Sequence, residues 1–191
     1  MRTFIAFDIS DETRAALERA QKSMGSLPGV RWVRPHGIHL TVKFLGNIGD
    51  DLVGGVFDLM RAAVADIEPF DFDVSGLGTF PPGRRARVVW AGVEKGSEII
   101  SEVAGKLDMR LTEVGVPREG RAYTPHLTLG RVRGRLDEET LKHALERVGQ
   151  ADFGFTTAEE LVLYMSELHP AGARYTRLGA AVLAKGPEEA S

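Results

Sequence analysis

The chain has 191 residues, 43% of them hydrophobic and 27% charged, and no cysteine. Disulfides, thiolate zinc sites, iron–sulfur clusters and a cysteine nucleophile are therefore excluded. Against 27 acidic side chains stand 24 basic ones, and the net charge of −3 argues against a histone-like or polybasic membrane-binding protein while leaving room for a local basic groove. The first apolar run, Phe4 to Phe7, meets Asp8 too soon for a signal peptide, and nowhere do 18 apolar residues follow one another. The expectation is a cytoplasmic protein with no membrane segment.

In chain order, Phe4 to Ile9 reads as a buried strand. Ser10 or Asp11 caps a helix carrying Leu17, Ala20 and Met24, stopped by Gly25 and the Leu27-Pro28-Gly29 turn. A short strand at Arg31-Trp32-Val33 precedes Pro35 and Gly37, and a longer one spans Ile38 to Leu45. The next helix places Leu52, Val56, Met60, Ala63 and Ile67 on one face, and Phe70 to Val74 alternates as a strand with one wet side.

The second half repeats this order. Arg87 to Val93 is a strand, and Ile99 or Ile100 through Val114 is a helix ended by Gly115 and Pro117. His126 to Val132 is a strand, followed by a helix with Leu141, Ala144 or Leu145 and Val148 inward. Phe153 to Thr156 and two late strands, near Leu161 to Ser166 and Arg174 to Val182, close the pattern. Three pairs of anchors align the halves: Phe4 with Val88, His39 with His126, and Phe70-x-Phe72 with Phe153-x-Phe155, at offsets of 84, 87 and 83. That agreement indicates an internal duplication. The expected fold is α+β, two pseudo-symmetric lobes whose antiparallel sheets face a central cleft with helices outside. It forms a single domain over residues 1–184, with repeats of roughly 1–83 and 84–184 and a flexible tail at 185–191.

The duplicated element of greatest chemical interest is His-x-Thr. His39 and Thr41 share one face of a strand, as do His126 and Thr128. Meeting across a pseudo-two-fold axis, they would offer two imidazoles and two hydroxyl donors to one cleft. An imidazole titrates near 6.5, so one can accept a proton while the other donates, and hydroxyls can bind charged oxygens. This set suits in-line displacement at phosphorus. Core packing alone has little reason to repeat both residues in one register.

These motifs carry a family resemblance together with Arg2-Thr3-Phe4-Ile5-Ala6, Trp32-Val33, His39-Leu40-Thr41-Val42-Lys43-Phe44-Leu45-Gly46, Phe80-Pro81, Val89 to Val93, Pro125-His126-Leu127-Thr128-Leu129-Gly130-Arg131 and Gly172-Ala173-Arg174-Tyr175. The chain resembles the 2H phosphoesterases, and more closely the RNA 2′,3′-cyclic phosphodiesterases, also called 2′-5′ RNA ligases. The resemblance implies opening of a terminal 2′,3′-cyclic phosphate to a 2′-phosphomonoester, with His39 as proton donor to the 3′-oxygen and His126 as the base toward water. An RNA 5′-hydroxyl in place of water would give a 2′-5′ linkage. No Walker A or Lys-x-Asp-Gly motif is present; Lys106-Leu107-Asp108-Met109 lacks the glycine. The implied substrate is an RNA end or a small cyclic nucleotide, with no cofactor, no obligate protein partner and a monomeric state. The alternatives are a phosphodiesterase for small cyclic nucleotides or 2′-5′ oligoadenylates, and a non-catalytic module that binds RNA ends. Gly130 stands where many relatives are expected to have alanine, and should loosen its strand.

Three further residues are candidates for substrate binding. Arg131 has parity opposite to His126, so a regular strand aims it away, yet the resemblance implies a phosphate contact. Lys43 shares the parity of His39 and Thr41 and either reaches phosphate or sits solvated at a strand end. Phe44 either stacks a base or fills the core. Arginines cluster near both motifs: Arg31 and Arg34; Arg84, Arg85 and Arg87; Arg118, Arg121, Arg131, Arg133 and Arg135. They read as an RNA groove or as an ordinary solvated surface. His36 and His39 have a metal-like spacing on a turn, with no third ligand nearby. His143 and His169 read as bystanders.

Overall fold

A computed structural model describes residues 1–82, 85–149, 151–169 and 172–184 of the chain. The expected repeat boundary at 83/84, Arg84 and the tail from 185 to 191 lie outside the described residues. Among the described residues the strands are β1 (Arg2–Phe7), β2 (Val30–Trp32), β3 (Leu40–Asn47), β4 (Phe70–Phe80), β5 (Val88–Val93), β6 (His126–Val132), β7 (Asp152–Ala158), β8 (Glu160–His169) and β9 (Gly172–Val182). The α-helices are α1 (Asp11–Met24), α2 (Val53–Val64), α3 (Ser97–Arg110) and α4 (Glu138–Val148). None of these helices is long and apolar enough to cross a membrane.

Helix starts follow the capping chemistry. The Ser10 hydroxyl accepts the Thr13 N–H at 3.2 Å, and Gly25, at φ 74°, closes α1 where a side chain would be strained. The Asp137 carboxylate accepts the Thr140 N–H at 2.9 Å and opens α4. The third predicted helix is α-helical only to Arg110; Leu111–Val114 tighten into a 3₁₀ turn that ends at Gly115.

All nine strands belong to one antiparallel sheet in the order β7-β4-β5-β6-β3-β1-β8-β9, with β2 on β6. The middle is a narrow seam where β3 and β6 pair through Leu40 and Leu127. Outward from that seam run β6, β5, β4, β7 on one side and β3, β1, β8, β9 on the other. The helices follow the same symmetry, α1 packing on α4 and α2 on α3. Each side mixes strands from both halves of the chain, so the lobes are intertwined. One alignment needs correction: the sheet order makes β8, not β7, the symmetry mate of β4. Phe72 and Phe155 instead belong to neighbouring strands, where β4 pairs with β7.

Ile5, Phe7, Leu40 and Leu127 from the strands meet Leu17, Met24, Met60, Ile100 and Leu107 from the helices in one buried core. Each such side chain contributes about 1.5–3 kcal/mol on leaving water, enough to fix the helical face of the sheet. Gly130, expected to loosen its strand, has a packing role. A Cβ there would stand 2.8 Å from the Trp32 indole, so the glycine admits the ring that anchors β2 to β6.

Candidate active site

The seam brings the two motifs together. Leu40 and Leu127 face each other and point into the core. Continuing that antiparallel register one residue each way sets His39 against Thr128 and Thr41 against His126 on the opposite, open face. The four side chains thus share one face of the sheet around the pseudo-two-fold axis.

Immediately after each motif threonine the strand carries an extra residue. In β3, Thr41 pairs with Ala6 and Lys43 with Ile5, leaving Val42 as a bulge. In β6, Thr128 pairs with Trp90 and Gly130 with Val89, leaving Leu129 as its counterpart. The Leu129 carbonyl accepts the Gln21 side-chain amide at 2.8 Å and the Val33 N–H at 2.8 Å, which holds the second bulge against α1. A bulge shifts the inside–outside alternation by one residue.

That shift decides where the candidate binding residues go. Lys43 turns inward and is 3% exposed. Its ammonium donates to the Asp108 carboxylate at 2.7 Å and the Pro117 carbonyl at 2.9 Å, with Glu119 at 3.5 Å. The expectation that Lys43 reaches substrate is therefore corrected: it lies on the helical side of the sheet. Phe44 turns toward the cleft, 51% exposed, with its ring 6.1 Å from that of Phe4. Arg131 is brought to the cleft side too, near enough to help depress both histidines. At the motif offset of 87, Phe44 and Arg131 occupy equivalent positions in the two halves.

The histidines differ in surroundings. Phe4 stacks on His39 at 4.6 Å, and the Tyr175 ring meets it edge-on at 5.0 Å, with Tyr164 stacked behind at 5.9 Å. Burial in this cage, then the charges of Arg14 and Arg131, lower its pKa to about 4. Arg14 is itself clamped by the carbonyls of Pro35, Ile38 and Ile9. His126 meets the edge of Phe80 at 4.9 Å, and its Nδ1 lies 2.8 Å from the Thr124 carbonyl. A ring so placed donates Nδ1–H and turns Nε2 elsewhere. Burial lowers its pKa, the Thr124 carbonyl works in the other direction, and Arg131 lowers it further.

The connector between α3 and β6 reaches both motifs. The Tyr123 hydroxyl donates to the Thr41 carbonyl at 2.8 Å, and the next residue, Thr124, orients His126. Sequence reading missed Phe4, Tyr164, Phe80 and Tyr123 as site residues and gave Tyr175 no role there. Tyr164 faces Phe4 through the pairing of β1 with β8, which no local signal announces. Among the described residues no three histidine or acidic side chains cluster as a metal site requires. His36 is exposed, and His143 lies on α4 between Glu139 and Glu146.

A duplicated half-barrel with two His-x-Thr strands at its seam defines a two-histidine phosphoesterase. The family model described as LigT like Phosphoesterase matches residues 7–90 and again 92–175, and the chain belongs to that family. Among curated proteins, an RNA 2′,3′-cyclic phosphodiesterase of Methanothermobacter thermautotrophicus is 35% identical over 177 residues, covering 92% of this chain and 95% of that one. A protein of the same name from Thermus thermophilus is 31% identical over 185 residues, covering 93% and 88%. A solved structure from Thermus thermophilus superposes with a TM-score of 0.82 at 30% identity, covering 97% and 99%.

Proposed function

We propose that the protein opens the 2′,3′-cyclic phosphate at the end of an RNA to a 2′-phosphomonoester, without a metal ion. The observation that carries this reading is the Leu40–Leu127 register, which sets each histidine beside the other motif's threonine. In this mechanism His126 takes a proton from water, whose oxygen attacks phosphorus opposite the 3′-oxygen. The P–O3′ bond breaks, and His39 gives its proton to the departing oxygen. Thr41 and Thr128 donate to the non-bridging oxygens, and Arg131 adds positive charge. Phe44 offers a face for the terminal base. An RNA 5′-hydroxyl in place of water gives 2′-5′ ligation without nucleotide energy.

The test is incubation, in EDTA, with an oligoribonucleotide ending in 2′,3′-cyclic phosphate. A 2′-phosphate end with free 3′-hydroxyl is expected. Loss of turnover in EDTA refutes the metal-free mechanism, and turnover of small cyclic nucleotides alone moves the substrate class away from RNA.

The histidine environments add a pH prediction. With His39 required protonated and His126 neutral, kcat/KM follows the product of those two fractions. His39 has a pKa of about 4 and that of His126 lies below 6.5, so both limbs fall below pH 6.5. From pH 6.5 upward the rate should drop about tenfold per unit. A profile on a 2′,3′-cyclic mononucleotide between pH 4 and 8 checks this; an optimum at or above 6.5 contradicts it.

A further inference from the structure

A concavity has Arg131, alone of the candidate site residues, in its lining. It has a volume of about 1100 Å³ and runs between the β4–β5 turn, the end of β6 and α4. That lies at the upper end of small-ligand sites, which span about 300–1,000 Å³. Arg85, Arg87, Arg131, Arg133 and Arg135 line it from the strand side, with carboxylates of α4 opposite. The two walls are not equivalent. Each carboxylate already has a partner: Glu138 accepts the Arg85 backbone N–H at 3.1 Å, Glu139 faces His143, and Glu146 faces His143 and Lys142. Among the described residues none of the five arginine side chains is ion-paired.

Hydrogen bonds hold the backbone at Arg87 and Arg133. The Arg87 N–H bonds Phe80, the Arg87 carbonyl accepts from Val132, and the Arg133 N–H bonds Gly29 at 2.6 Å. Guanidiniums without ion pairs along one wall offer forked donors, which suit successive phosphates.

We propose that this groove holds the RNA strand preceding the reacting 3′ end, with Arg131 at the junction and Arg133 and Arg135 on upstream phosphates. The proposal rests on the RNA-end reading above and deepens it: the protein is selective for oligonucleotides over mononucleotides, and the arginine wall supplies that selectivity.

The test compares the native protein with the Arg133→Gln, Arg135→Gln double variant. Two substrates are used, cytidine 2′,3′-cyclic monophosphate and a decaribonucleotide ending in 2′,3′-cyclic phosphate. The variant should raise KM several-fold for the decamer and leave both constants for the mononucleotide unchanged. In parallel, a 5′-fluorescein decaribonucleotide with an ordinary 3′-hydroxyl is titrated by anisotropy. Its log K against log salt slope should shrink by about 1.4, from about 0.7 for each lost single-strand phosphate contact. Equal KM effects on both substrates, or an unchanged salt slope, overturn the proposal, as does an absence of decamer binding, which would leave the groove to an acidic protein. If neither substrate is turned over while the slope still shrinks, the catalytic reading fails and the groove assignment stands.

Discussion

Replacing His39 or His126 by alanine should each lower kcat on a cyclic phosphate end by about 10²–10⁴, the usual contribution of a positioned acid or base. The two losses should not add. In the proposed mechanism both imidazoles act in one displacement, so the double variant should be about as slow as the slower single one. His126→Ala removes a ring that contacts Phe80 and the Thr124 carbonyl, and its thermal unfolding should stay near that of the native protein. His39→Ala empties the space between Phe4 and Tyr175, so His39→Gln is the companion variant for keeping that cage filled. Single-turnover rates with unfolding curves check both, and near-native turnover in either alanine variant refutes the acid–base pair.

Lys43→Met should act through the fold. Asp108 is held at about 2: burial works to raise it, but the Lys43 ammonium, the Glu119 N–H and Arg118 outweigh that effect. A buried charge left with no partner costs about 3–5 kcal/mol, but Asp108 keeps the Arg118 guanidinium and the Glu119 N–H, so the loss should fall below that range. For a domain of this size each kcal/mol lowers Tm by about 2–4 °C, so a fall of several degrees is expected. Replacing both partners, as Lys43→Met with Asp108→Leu, should recover much of the loss. The ammonium also holds Pro117 on the connector that leads to Tyr123 and Thr124. A phosphate-binding lysine would behave differently, raising KM with Tm unchanged. Calorimetry and KM measured on the same variants separate the two.

Much of this molecule was legible because its signals are local. Ser10 and Gly25 bracket α1, and the paired His-x-Thr runs name the four residues at the seam. What was not legible depends on pairing between distant strands. Lys43 has the parity of a cleft residue, and only the unpaired Val42 opposite β1 sends it inward. Arg131 has the parity of a residue facing away, and Leu129 reverses it. The strand predicted to stop at Val74 runs on to Phe80. Gly76, at φ 69°, is a bulge residue within it, and Gly78 leaves room for the Trp90 ring rather than ending the strand. That extension is what carries Phe80 to His126. The cage around His39 needs β8 and β9, contributed more than a hundred residues later.

The unlike pair at equivalent positions, Phe44 and Arg131, has a consequence for how a substrate docks. A cleft with true two-fold symmetry would admit a nucleotide in either of two equivalent directions, and either imidazole could meet the departing oxygen. The degeneracy would be worth only about 0.4 kcal/mol. In the proposed mechanism an aromatic face on one side and a guanidinium on the other would give base and phosphate different destinations. On that reading duplication supplies the pair of imidazoles, and divergence at one position in each copy gives the reaction its sense of direction.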